Sequence, residues 1–247
     1  MLLEREVEAS GRRERRGRRD APRVESPHLA LLRAPRRPAT PLPLSGELRV
    51  ATYNVHRWTG LSGRSRPDPA RAGFVISELD ADLISLQEVL RPHRGDDPLE
   101  ALAEALGLHV TFAVTRVHKR GSIGNAILSR WPIAGVAMFD LSYSRLEKRV
   151  AVAAQLKSED GELDVVATHL ALADHTRRRQ VRSLLEHPRL AQTPTLLMGD
   201  MNAWRKCKAT RELDEALTEH HNREWPASFP SASPMLASIA STSVACS

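Results

Sequence analysis

Cysteine is nearly absent from this 247-residue chain: there are two, Cys207 and Cys246, with no CxxC pair and no matching histidine spacing. That speaks against a disulfide framework or a zinc site and fits a reducing compartment. No run of 18 or more apolar residues occurs, so no membrane span is expected. Near the N-terminus no apolar stretch is long enough for a secretory signal, and a soluble cytoplasmic protein is the expectation. Internal repeats are also missing. What remains is a chain that is 41% apolar, enough to bury a sizeable core in one large domain or two small ones.

The formal net charge of +6 is unevenly placed. Residues 1–46 hold 11 Arg against 6 Asp and Glu, a net of +5, which leaves +1 for everything after them. The basicity therefore belongs to the leader, and the remainder offers little electrostatic support for binding duplex DNA. In the leader, GRRERRGRRD repels itself and APRRPATPLPLSG is studded with prolines. Residues 1–46 are predicted to be a disordered, solvated arm. Contact of that arm with nucleic acid or anionic lipid is the alternative.

From Leu48 onward, short apolar runs alternate with amphipathic stretches. Strands are predicted at Leu48–Asn54, Asp82–Glu88, His109–Thr115, Asn125–Ser129, Val150–Leu156, Leu163–His169 and Thr195–Met198. Helices are predicted at Pro69–Leu79, with Asp68 as N-cap, at Pro98–Leu106, stopped by Gly107, and at Asp174–Glu186 and Arg211–His220. Some strands follow one another like hairpins and others are separated by helices. The expected fold class is α/β (α+β), with two layered sheets and helices outside.

Polar residues stand where these apolar strands end. Asn54 closes LRVATYN, Glu88 closes DLISLQE, His169 closes LDVVATH, and Asp200 and Asn202 follow TLLMG. In layered α/β domains, strand ends are where sites are assembled. Carboxylates and amides of this kind suit a hard cation such as Mg²⁺, which needs few protein carboxylates when water and phosphate complete its shell.

The segments TYNVH, SLQEV, GNAILSR, ATHLAL and MGDMNAW, in this order and approximate spacing, resemble the endonuclease/exonuclease/phosphatase superfamily over about Leu48 to Pro230. The resemblance is to its bacterial members. It implies a four-layer, two-sheet β-sandwich flanked by helices, and a metal-dependent phosphodiester hydrolase using Mg²⁺, with Mn²⁺ as the alternative ion. By the same resemblance, Glu88 is the principal metal ligand and Asn54 helps position metal and phosphate. His169 contacts the scissile phosphate, Asp200 aligns or deprotonates the attacking water, and Asn202 holds a phosphate oxygen. Asn125 and Arg149 are weaker candidates for substrate binding; an Arg149 salt bridge with Glu147 is an equal expectation. Arg177 and Gln180 are read as structural, His56 and Arg57 as possible cleft liners, and Trp58, Trp131 and Trp204 as packing anchors. The substrate is expected to be nucleic acid, a phospholipid or a sugar phosphate, handled by a monomer.

The pattern breaks at its end. The superfamily continues past a Phe-Pro segment with an Asp and then Ser-Asp-His; after Phe229-Pro230 this chain has neither, and no Asp, Glu or His follows Glu224. A LDRIYV-like strand read one nucleotide out of frame encodes Ser238–Ser243, so a truncation or frameshift near Ala237 is expected. The domain would then be 47–230, incomplete, with 231–247 a non-native tail and the C-terminal strands missing. Impaired activity follows, and a non-catalytic phosphate-binding remnant is the competing expectation.

Overall fold

The computed structural model describes residues 27–59, 66–143, 147–188, 190, 195–203, 206–217 and 239–242. Among the described residues, ten strands form two mixed five-stranded sheets. The first contains β1 (His28–Arg33), β2 (Val50–Asn54), β3 (Leu83–Pro92), β4 (His109–His118) and β5 (Gly121–Ser129), in the order β1-β4-β5-β3-β2. The second contains β6 (Ile133–Asp140), β7 (Val150–Ser158), β8 (Gly161–His169), β9 (Thr195–Asp200) and β10 (Ile239–Thr242), in the order β10-β9-β8-β7-β6. The chain thus completes one sheet before it starts the other.

Period-two alternation decides which side chains enter which layer. Val150, Val152, Ala154 and Leu156 of β7 meet Leu163, Val165 and Ala167 of β8 between the sheets, with Leu83, Ile127 and Trp131 opposite. The intervening Ala151, Ala153 and Val166 turn outward to a second core against Val181, Leu184, Ala209 and Leu213. Those belong to helices α3 (Asp174–Leu185) and α4 (Lys208–Leu217). On the first sheet, Ile84, Leu86, Phe112 and Leu128 face outward toward Ile76, Leu99 and Leu102. These come from α1 (Pro69–Glu78) and α2 (Pro98–Leu106). The result is helix, sheet, sheet, helix, the expected four-layer sandwich.

Local signals act as their chemistry dictates. Asp68 accepts the backbone N–H of Arg71 at 3.1 Å and Asp97 that of Leu99 at 2.9 Å, each capping a helix that begins with proline. Gly107 ends α2 at φ +66°. A Cβ there would come within 2.9 Å of backbone atoms of Arg37 and Ala39.

Two expectations need correction. The leader is not disordered to residue 46: His28–Arg33 pairs antiparallel with β4. The stretch after it is fastened by Ala39 N–H to Gly107 O at 2.8 Å, Trp131 Nε1–H to Leu42 O at 2.6 Å, and Ser45 N–H to Asp160 Oδ2 at 2.7 Å. Prolines forbid ladder bonding only at their own nitrogens, so a segment interrupted by them can still be laid along an edge. The C-terminal strands are not wholly missing either, because Ile239–Thr242 pairs antiparallel with Asp200–Leu197. The open edge of β9 offers unpaired backbone groups, and a short segment of small and β-branched residues satisfies them.

Candidate active site

Within each sheet, one pair of parallel strands is joined through a helix: β2-α1-β3 in the first and β8-α3-β9 in the second. Parallel strands end on the same side, so each pair delivers two strand ends together. Register sets Asn54 beside Gln87, next to Glu88, and His169 beside Asp200. The two ends then meet across the sandwich. Asn54 Nδ2 donates to Asp200 Oδ2 at 3.3 Å, and His169 Nε2 lies 3.6 Å from the same oxygen.

The backbone around these ends is unusual. His56, Arg57 and Trp58 form a single turn with φ of +45°, +59° and +66°, directly after β2. Glu88 has φ +52° at a register shift between Leu86 and Val89, and Asn202 has φ +49°. Left-handed conformations in non-glycine residues cost about 1–3 kcal/mol each and gather where function requires a particular aim. Here the bulge turns Glu88 out of the β3 alternation and into the cleft, half-buried, with Oε2 3.8 Å from Arg57 Nε.

A small cleft is lined by Glu88, Arg116, Asn125, Lys148, Arg149 and His169, among others. Asn125 is buried on β5 and donates to Val150 O at 2.8 Å, tying the first sheet to the start of β7. Arg149 Nη2 donates to Glu147 at 2.8 Å, while its buried Nε has no hydrogen-bond acceptor among the described residues; Arg57 Nε shares that condition. Arg149 thus pairs with Glu147 and also lines the cleft.

Burial holds the His169 imidazole well below the usual histidine range, and the nearby charges of Arg149 and His56 push the same way. Burial raises the Asp200 carboxyl, although the N–H of Asn202, the amide of Asn54, Arg149 and His56 each pull it down. At neutral pH the pair is thus a neutral imidazole beside a carboxylate, not an ion pair. Asn202 N–H donates to Asp200 Oδ1 at 3.0 Å, and its own amide donates to Leu170 O at 2.8 Å, which clamps the loops after β8 and β9 together. Arg177 reinforces that clamp by donating to the carbonyls of Ala171, Leu172 and Asn202. Gln180 bridges Ala171 N–H and Leu141 O, so both residues are structural as expected. Trp58 and Trp131 are fully packed; Trp204 lies outside the described residues.

Sequence reasoning missed Arg116 and Lys148 in the cleft wall. Neither ends an apolar strand, so neither carried the signal that singled out the others. Also unforeseen was Gln87, fully buried and donating to Thr52 Oγ1 at 3.0 Å and Ser85 Oγ at 2.7 Å beneath the Glu88 bulge. A glutamine inside an otherwise apolar strand was its only mark.

Donor chemistry bears on a metal. Among the described residues, no group of three or more His, Cys, Asp or Glu side chains converges to hold an ion. A lone cleft carboxylate beside an amide still fits a cation of the Mg²⁺ type, which takes one or two carboxylates and fills its remaining positions with water and phosphate oxygens.

Comparison with known proteins agrees with this geometry. Residues 51–236 match the Endonuclease/Exonuclease/phosphatase family. The uncharacterised protein YbhP of Escherichia coli K12 is 29% identical over 211 residues, covering 74% of this chain and 80% of YbhP. A crystallised endonuclease/exonuclease/phosphatase from Beutenbergia cavernae superposes with a TM-score of 0.53 at 28% identity over 66% of this chain. That match covers 49% of the Beutenbergia protein, so this chain spans about half its length. A family protein from Leptotrichia buccalis gives a TM-score of 0.62 at 16% identity, covering 79% of this chain and 87% of that one.

Proposed function

The chain belongs to the Endonuclease/Exonuclease/phosphatase family, whose members are generally hydrolytic enzymes, and from that premise we propose that it is a divalent-metal-dependent phosphodiester hydrolase. One observation supports this most: the ends of β2 and β9, from opposite sheets, join at the Asn54–Asp200 bond beside His169. Separate motifs spread over nearly 150 positions have little structural reason to converge in this way unless one substrate needs them all.

Glu88 would hold the cation, with Asn54 behind it. When bound, the ion polarises a phosphoryl oxygen and stabilises the leaving oxygen. The protein's own groups do the rest. Asp200, raised by burial, accepts a proton from the attacking water as its oxygen bonds to phosphorus, while the opposite P–O bond breaks and the leaving oxygen is protonated from solvent. Neutral His169 offers an N–H to a phosphoryl oxygen without adding charge. The unsatisfied Arg149 Nε–H is available to a phosphate oxygen, and Asn125 fixes Val150 at the start of β7, next to Arg149. Asn202 keeps Asp200 aimed.

Mg²⁺ and Mn²⁺ titration against bis-p-nitrophenyl phosphate tests the proposal. Slow metal-dependent release of nitrophenol is expected, impaired because no Asp, Glu or His follows Glu224 to complete the family's Ser-Asp-His element, and it should fall further, to background, in Glu88→Gln and in Asp200→Asn. Equal rates in both variants and the parent chain would overturn it. The second reading, a phosphate-binding remnant, is favoured by the absence of a three-ligand cluster among the described residues. It predicts phosphate-dependent stabilisation without turnover.

A further inference from the structure

Arg57 takes no part in the reaction described above, yet the fold fixes it beside the residue that would hold the cation. It sits in the turn after β2 at φ +59° and ψ +30°, between His56 and Trp58, which are also left-handed. Both sides of that turn are tied down. His56 N–H donates to Asn54 Oδ1 at 3.0 Å, and Val55 N–H to Gln87 O at 3.0 Å. Beyond Arg57, buried Trp58 donates from Nε1 to Leu90 O at 2.8 Å, and Thr59 N–H donates to His56 O at 3.1 Å. Gln87 and Leu90 lie on either side of Glu88 in β3. The strained turn and the Glu88 bulge are therefore fastened to one another. Backbone and tryptophan bonds, rather than its own charge, keep Arg57 next to Glu88.

The contact itself is incomplete. Arg57 Nε stands 3.8 Å from Glu88 Oε2, beyond hydrogen-bond reach, and its buried N–H has no acceptor among the described residues. By contrast, Arg91 with Asp97, Arg178 with Glu212 and Arg149 with Glu147 close to 2.5, 2.6 and 2.8 Å. Among the described residues, Arg57 is the one cation paired with Glu88. A buried donor left without a partner calls for a reason. Here the guanidinium offsets the charge of the carboxylate without bonding to it, so little has to be broken when Glu88 takes another partner.

We propose that Arg57 is the resident counter-cation of Glu88: it balances the carboxylate in the metal-free protein and, by competing with a divalent ion for it, sets how tightly that ion is held. This rests on the hydrolase reading, in which Glu88 is the metal ligand. A doubly charged ion on Glu88 lies in the field of a guanidinium whose backbone the turn holds in place. The two cations repel, and the ion binds more loosely than one carboxylate in a half-buried cleft would otherwise hold it. Arg57 is a positioning residue in this scheme, acting through Glu88.

The test is Mn²⁺ titration of the full chain, with the free ion followed by electron paramagnetic resonance, which reads affinity without turnover. Arg57→Gln removes the charge, and Arg57→Gly removes it while also suiting the left-handed backbone, so that folding is kept. Each should tighten Mn²⁺ binding about tenfold. Arg57→Lys keeps the charge and should stay within about twofold of the parent. Lys119→Gln removes a charge from the β4–β5 turn, which shares with Arg57 an influence on His118 but has no ion pair with Glu88, and should change affinity by about twofold or less. Parent-like or weaker binding in both Arg57→Gln and Arg57→Gly overturns the proposal, as does tightening by Arg57→Lys equal to theirs. If Glu88→Gln loses the ion while the charge-removing Arg57 variants match the parent, the competition fails and the metal assignment stands. If Glu88→Gln binds like the parent, or none of these proteins binds Mn²⁺, the assignment of Glu88 falls and the competition with it.

Discussion

Glu88 pays for its aim with backbone strain. At φ +52° a glycine would be comfortable, and its neighbouring contact, Arg57 at 3.8 Å, is too long to offset much. Glu88→Gly should therefore raise stability by about 1 kcal/mol in urea melts while abolishing turnover. His169 supplies a second residue-scale prediction. Its folded pKa is depressed, so the unfolded chain binds a proton near pH 6.5 that the folded chain refuses. Stability is thus intact above pH 6.5 and lost below it, by up to about 1.4 kcal/mol per pH unit. His169→Gln should flatten that slope in melts between pH 7 and 5. Asp200 works the other way: its raised pKa means the buried charge costs stability at neutral pH, and protonation relieves the cost as pH falls through that pKa. Asn54, Glu88, His169 and Asp200 were legible because a polar residue closing an apolar strand has few reasons to be there. Arg116 and Lys148 were not, since their meaning depends on which strand end they face, and no local pattern encodes that.

Among the elements, the β8–β9 pair is the most tightly constrained. Gly199 has φ +143°, and a Cβ on it would stand 1.9 Å from Thr168 O. Gly199→Ala should cost about 1–3 kcal/mol in strain alone and push apart the strands that align His169 with Asp200. Loss of activity should exceed loss of fold, which circular dichroism and nitrophenol release can compare. Helices α1 and α2 could be read in advance because their signals are chemical: Asp then Pro at the entry of both, and Gly at the exit of α2. Strands β1 and β6 escaped notice. In β1, the burial pattern shows most side chains facing solvent, so HLALLR has no clean alternation to read. In β6, small and large apolar residues follow one another on an edge, and IAGVAMFD has no polar face.

For the molecule as a whole, the boundary of the domain matters most. A chain starting at Glu47 loses β1 from β4, the Leu42 acceptor of Trp131, and the Ser45 donor that, with other hydrogen bonds, holds the Asp160 carboxyl well below its usual range. Compared with a chain starting at Pro27 it should be less stable by several kcal/mol, at about 1 kcal/mol per hydrogen bond, in parallel urea melts. No helix among the described residues is long and apolar enough to cross a membrane.

Because β1 to β5 build one sheet and β6 to β10 the other, the bond between Asn54 and Asp200 unites the two halves of a bipartite polypeptide. A single cut near Pro132 would leave Glu88 on one fragment and His169 on the other. On the proposed function neither piece alone would process a phosphodiester, and mixing them would make any recovered turnover a direct gauge of reassociation.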